Sequence, residues 1–418
     1  MIKILPSSEA SKLLTRRKVR LNEAEATVAP ILEAVRKRGD KAVLDYARKF
    51  DGYKGKSLAV PKATLEAAFD RLSPSFRAAV GTSESNVREF SLRQLPHDHQ
   101  KLLKPGLSLG QIVRPLDTIA AYIPGGRYPL PSTLIMTVVP AQVAGVPNIC
   151  ACSPSAVDEV FGTAHMLKVS QVFQMGGAQA IAAFAYGTAT VPKADRIVGP
   201  GNIYVAAAKK LLAGETGIDF VAGPTEILII AADGDPRFLA ADMLAQAEHD
   251  VDASAILLTT SQSLAQEVAH HIEAQLMTLE TAEVASVAIK RNSAIIVTRS
   301  LDEAVELSNT FAPEHLSIPD DSLLKKIRHA GSIFIGPFSP EAAGDYASGP
   351  NHVLPTSGAA RVRGGLSVAD YVKVITVQQL TKTALRNLSP AITTLARAEG
   401  LEAHARSTEI RLRGNGRG

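Results

Sequence analysis

The stretch "DPRFLAADMLAQAEH" (235–249) carries side chains whose types and spacing could do chemistry. Asp235 followed by Pro236 is a helix-start signal, N-cap then first helical position, and it predicts a helix reaching His249. Gln246 and His249, three residues apart, share a face that Asp242 joins one turn earlier. Glu248 points about 100° away from His249. A metal held here would therefore meet Gln246 and His249, although glutamine is a poor ligand and an ordinary helix end also explains the stretch.

Three further clusters could take part. In "FAPEHLSI" (311–318), Pro313 closes a helix and leaves Glu314 and His315 on the approach to a strand. Neighbours on an extended backbone point to opposite sides. The pair is thus expected to flank a substrate as separate acid–base groups, with an exposed loop pair as the plain alternative. "SPEAAGDYASGPNHVLPTSG" (339–358) places Asp345 and His352 in a loop stiffened by prolines, directly after a strand. With a histidine from another element they would offer donors suited to Zn²⁺. "AEGLEAH" adds Glu399 and His404, which by themselves a surface helix end explains better. His97, His99, His165, His270, His271 and His329 lie in polar or amphipathic surroundings and are expected to be solvated.

Glycine turns supply a nucleotide signal. In "RIVGPGNIYVAAAKK", Gly199 and Gly201 stand as the first two glycines of a dinucleotide fingerprint, with Asp219 at a plausible distance for a ribose contact. Tyr204 occupies the third position, so the usual tight helix–strand packing is not expected. "YIPGGRYP" and "QMGGAQA" are similar turns, and together the three predict a loop-lined cleft. The two cysteines, Cys150 and Cys152, share one strand face and lack a nearby base, which favours buried thiols over a catalytic one.

Alternating elements must position these residues. Helical periodicity covers "EATVAPILEAVRKRGDKAVLDYARKFDG", ending at Gly52, and about 62–94. From 118 onward short apolar strands alternate with helices: "TIAAYIP", "NICACS", "QVFQM", "RIVG", "EILIIA", "SAILLTT", "SAIIVTR" and "GSIFIG". That rhythm predicts α/β architecture with parallel sheets in two units. The last fifty residues read as mainly helical, ending in a polar, glycine-rich tail. The chain has 418 residues, enough for two or three domains. A net charge of +4 without a basic tract argues against nucleic-acid or anionic-membrane partners. No apolar run is long enough to span a membrane, and the N-terminus lacks a signal-peptide pattern, so a reducing cytoplasm is expected.

Taken together, "YIPGGRYPLPSTLIMTVVPAQVAGV", "GGAQAIAAFAYGT", "GPGNIYVAAAKK", "AGPTEILIIA", "DMLAQAEHD", "APEHL", "AGDYASGPNHVLPT" and "EGLEAH" resemble the histidinol dehydrogenase family. They occur in the family's order and cover nearly all of the chain from about residue 20. The resemblance implies one zinc ion per subunit on Gln246, His249, Asp345 and His404, and Glu314 with His315 as the acid–base pair. Substrate contacts would be Thr225, Gln246, His249, His315, Asp345, His352, Glu399 and His404. Thr225 stands where serine is familiar and keeps the hydroxyl. Tyr122, Gln179 and Asn202 would contact NAD⁺. The implied fold has two incomplete Rossmann-like domains: residues 20–121 with 227–366, and residues 122–226 around the cofactor. An N-terminal arm (1–19) and a helical segment (367–418) flank them. The implied assembly is an intertwined homodimer in which the C-terminal segment completes the partner's site. The implied reaction oxidises L-histidinol through L-histidinaldehyde to L-histidine with two NAD⁺, the last step of histidine biosynthesis. A paralogous zinc/NAD-dependent dehydrogenase acting on another small alcohol, and a zinc-stabilised sensor without turnover, are the rival readings.

Overall fold

Strands that are apolar on both faces need cover on both faces, and the chain meets that need with two helix-flanked parallel sheets. In the computed structural model, residues 2–10, 21–125 and 128–413 are described. The strands are β1 (Lys3–Pro6), β2 (His99–Lys104), β3 (Leu107–Pro115), β4 (Thr118–Tyr122), β5 (Asn148–Ser153), β6 (Gln171–Gln174) and β7 (Arg196–Val198). They continue as β8 (Gly217–Ile218), β9 (Glu226–Ala231), β10 (Ser254–Thr259), β11 (Ala294–Val297), β12 (His315–Ile318), β13 (Ser332–Ile335) and β14 (Val372–Leu380). The first sheet runs β1-β11-β10-β9-β12-β13 and the second β6-β5-β4-β7-β8, both parallel throughout. The expected α/β class with parallel sheets is the one observed.

Contacts divide the chain into two compact units. The larger, residues 2–94 and 116–371 among those described, holds both parallel sheets. Its core residues include Ile227, Ile229, Leu257 and Ile295 on one face of the first sheet, and Leu228, Ile230, Ile256 and Ile296 on the other. β4, divided by the expected boundary at 121/122, lies wholly within the second sheet. The beginning of the expected N-terminal arm is an edge strand, since β1 pairs with β11; residues 11–19 lie outside the described set.

The smaller unit comprises 95–115 with 372–413 of the described residues. Here the mainly helical expectation needs correction, because "VKVITVQQL" is strand β14, paired antiparallel with β3 from Val372 to Leu380. Its β-branched residues favour extended backbone, and β3 supplies the pairing. β2 and β3 form the rest of that sheet, with no counterpart in the sequence reading. Helices Lys382–Ala398 and Glu402–Leu412 follow, separated by Gly400 at φ 77° and tied by Arg397 to Glu402 and Glu409. No helix among the described residues is long and apolar enough to cross a membrane.

Candidate active site

The larger unit contains a cavity of about 160 Å³ lined from both parallel sheets. From the second sheet come Pro200 and Gly201, beyond the carboxyl end of β7, and Ser132 and Thr133 at the start of helix Pro131–Val143. From the first come Thr225, Glu314 and His315, at the amino ends of β9 and β12, with His249, Asp345 and His352. The site thus joins the carboxyl ends of one sheet to the amino ends of the other.

Helix Pro236–Ala247 begins as the sequence requires, with Asp235 accepting from the Arg237 amide and Pro236 at the first position. It carries Gln246 into full burial, where Nε2 donates to Thr225 Oγ1 at 2.8 Å. Gln246 Oε1 is buried without a hydrogen bond among the described residues. His249 Nδ1 lies 3.0 Å from the Ala245 carbonyl, a bond that leaves Nε2 free, 3.9 Å from Asp345 Oδ2. Glu248 accepts instead from Thr281 Oγ1 at 2.5 Å. An orphaned amide oxygen, an imidazole nitrogen and a carboxylate are a donor set that fits a divalent cation such as Zn²⁺.

The expectation that Glu314 and His315 point to opposite sides is not met. Thr225 Oγ1 and the Glu226 amide donate to Glu314 Oε2 at 2.6 and 2.9 Å. These bonds, from the start of neighbouring β9, turn the carboxylate back to 3.7 Å from His315 Nδ1. Strand alternation applies within β12, and Glu314 precedes it. Glu341, which the sequence reading passed over, lies closer, with Oε1 3.2 Å from Nδ1. His315 Nε2 is 3.6 Å from Asp345 Oδ1 and has no hydrogen bond among the described residues. His315, Glu341 and Asp345 bring ligand atoms within 4.8 Å of one another. The i, i+4 spacing of Glu341 and Asp345 after a proline was the signal available for it.

These groups titrate together. Burial alone would lower His315, but Glu341, Glu314 and Asp345 outweigh it and push the imidazole up to about 10. Burial raises Glu314 and Glu341. Asp345 is also opposed by burial, yet His315, His352 and His249 hold it below its usual value. His352, whose Nδ1 lies 2.9 Å from the Asp345 carbonyl, is lowered by burial.

The glycine turns are built more tightly than a plain fingerprint implies. Asp219 is no ribose contact, being fully buried between Lys209 Nζ (2.7 Å) and the amides of Gly199 and Phe220 (2.7 Å each). Gly199 adopts φ 110°, and a Cβ there would stand 2.3 Å from the Tyr122 carbonyl. Tyr122 is buried and accepts from the Gly177 amide. Gln179, also buried, donates to Asp51 at 3.4 Å. Asn202 is exposed and caps helix Ile203–Leu212 through the amides of Tyr204 and Val205. Residues 126 and 127 of "YIPGGRYP" lie outside the described set. Glu399 and His404 belong to the smaller unit and are exposed. Both cysteines are buried in β5, and burial pushes the Cys150 thiol up to about 12, which suits a structural thiol.

A buried imidazole among carboxylates, lining a cavity between two parallel sheets, is the equipment of an acid–base enzyme. The family model for histidinol dehydrogenase matches residues 14–412. Histidinol dehydrogenase from Methanothermobacter thermautotrophicus is 46% identical over 412 residues, covering 96% of this chain and 97% of that protein. The enzyme from Halalkalibacterium halodurans is 47% identical over 394 residues, covering 92% and 93%. The crystal structure of histidinol dehydrogenase from Elizabethkingia anophelis superposes with a TM-score of 0.94 at 38% identity, covering 98% of each chain. The chain belongs to the histidinol dehydrogenase family, oxidoreductases of histidine biosynthesis.

Proposed function

We propose that this chain oxidises L-histidinol through L-histidinaldehyde to L-histidine with two NAD⁺, holding one zinc ion on Gln246, His249, Asp345 and His404. Two observations support the zinc assignment: Gln246 Oε1 is buried without a hydrogen bond among the described residues, and His249 Nε2 lies 3.9 Å from Asp345 Oδ2. When bound, zinc supplies a template that orients the imidazole and amine of the substrate, and NAD⁺ supplies the hydride acceptor. His315 takes the hydroxyl proton at Nε2 in the alcohol step. Glu314, its Oε2 anchored by Thr225 and Glu226, activates the water that adds to the aldehyde. Thr225, His352 and Glu399 complete the substrate contacts, and Tyr122, Gln179 and Asn202 the cofactor contacts.

Elemental analysis and turnover, measured on the same variants, test this assignment. His249→Ala should lose tight zinc binding and activity together. His315→Asn should keep stoichiometric zinc while turnover falls on the order of 10² or more. Zinc retained at full occupancy by His249→Ala, or near-normal turnover of His315→Asn at neutral pH, would overturn the assignment concerned.

A further inference from the structure

Glu341 has no part in the chemistry above, yet its carboxylate is nearer to the His315 ring than those of Glu314 or Asp345. Its Oε1 stands 3.2 Å from Nδ1, against 3.7 Å for Glu314 Oε2 and 3.6 Å between Nε2 and Asp345 Oδ1. Nδ1 has the Glu226 carbonyl as its hydrogen-bonded neighbour at 3.3 Å, and the Glu341 carboxylate stands beside it as an unbonded negative charge, both oxygens buried without a hydrogen bond among the described residues. Glu341 is 3% exposed and does not line the cavity, whereas His315 does. Anything Glu341 contributes to the chemistry must therefore pass through the imidazole.

The local sequence explains its placement. Helix Glu341–Tyr346 starts after Pro340 and puts Glu341 and Asp345, one turn apart, at opposite ends of the imidazole. Gly344 lets that helix settle on Phe334, for a Cβ there would stand 2.7 Å from the ring. Phe334 in turn packs beside His315, with ring centroids 5.9 Å apart. A buried carboxylate behind a histidine fixes its tautomer and orientation in other enzymes.

We propose that Glu341 is the positioning residue of His315: it holds the ring with Nδ1 protonated and turned inward, leaving Nε2 to face the cavity as proton acceptor. The inference rests on the reading of His315 as the base. The natural competitor is a metal ligand, because His315, Glu341 and Asp345 lie close enough to share an ion.

The test compares Glu341→Leu and Glu341→Gln, each alone and combined with His315→Asn, in the full-length, metal-loaded protein. Glu341→Leu should lower kcat about 10–100-fold with KM changed less than about threefold and zinc content unaltered. Glu341→Gln, which keeps the volume and an acceptor oxygen, should recover part of the loss and carries the test if the leucine variant does not fold. On the His315→Asn background neither substitution should lower kcat further by more than about twofold, because residues acting as one unit are not additive. Losses that multiply in the double variants would overturn the proposal, as would loss of zinc from both single variants. Near-normal kcat in Glu341→Leu beside an inactive His315→Asn sinks the proposal alone. Near-normal turnover of His315→Asn sinks the base assignment and the proposal with it.

Discussion

His315 lies within 4 Å of three carboxylates, which makes its charge the most sensitive quantity in the site. With its pKa raised from 6.5 to about 10, the ring stays protonated at neutral pH unless some of the opposing negative charge is neutralised. A cation on Asp345 would do that, so the proposed metal and the proposed base would be linked through a shared carboxylate. The sign for stability follows. A histidine raised by folding contributes stability that is fully present below about 6.5 and is lost as pH rises through about 10. Urea unfolding of chelator-treated protein should therefore show stability falling across that window, with the fall reduced in His315→Asn. A profile identical in both proteins would contradict the charge assignment. At this scale the start of the helix was legible from Asp235 and Pro236, but the helix ends at Ala247 with Glu248 as its cap, so His249 stands beyond it and not on the helix face that its spacing from Gln246 suggested. The sequence was also misleading where the neighbouring strand decides, because the bonds that turn Glu314 come from Thr225 and Glu226, far away in the chain.

Among the elements, the turn after β7 depends most on one buried contact. Lys209 reaches back from helix Ile203–Leu212 to both the Gly199 carbonyl and Asp219, with side-chain exposures of 4% and 1% for the ion pair. Removing one partner of a buried pair leaves the other charge uncompensated, at about 3–5 kcal/mol. Lys209→Met should therefore lower unfolding free energy by about that amount, and the KM for NAD⁺ should rise because the turn loses its anchor. A stability change under about 1 kcal/mol in chemical denaturation would show the pair to be dispensable. The glycine spacing revealed this turn, but it suggested a ribose contact for Asp219. What makes Asp219 a staple is the lysine one helix away. Apart from the two-residue β8 and from β14, the strands from 118 onward were legible because each is a short apolar run between turn residues. β2 and β14 were not, since "HQKLLK" is exposed throughout and the long β14 is mostly exposed, so neither has a buried-strand pattern.

For the whole molecule, the proposed zinc ligands are divided between the two units: Gln246, His249 and Asp345 in the larger, His404 in the smaller. The smaller unit also exposes the apolar side chains Leu102, Leu103, Val374, Ile375, Leu395 and Ile410. If a second copy supplies His404, chains carrying His249→Ala and His404→Ala should complement when co-expressed, because one site of the mixed dimer is intact. Activity clearly above that of either parent is expected. No recovery in a purified mixed dimer would contradict a shared site. A ligand supplied by a second copy would not be legible in periodicity or composition, since both report on a single chain.

The proposed zinc-dependent, four-electron oxidation is read most directly from the yield of NADH per histidinol consumed, followed by absorbance at 340 nm before and after treatment with a chelator. The metal-loaded protein should give two NADH per histidinol, lose turnover on chelation and recover it with zinc. A yield of one NADH, no turnover of histidinol, or full activity after complete metal removal would contradict the proposed reaction.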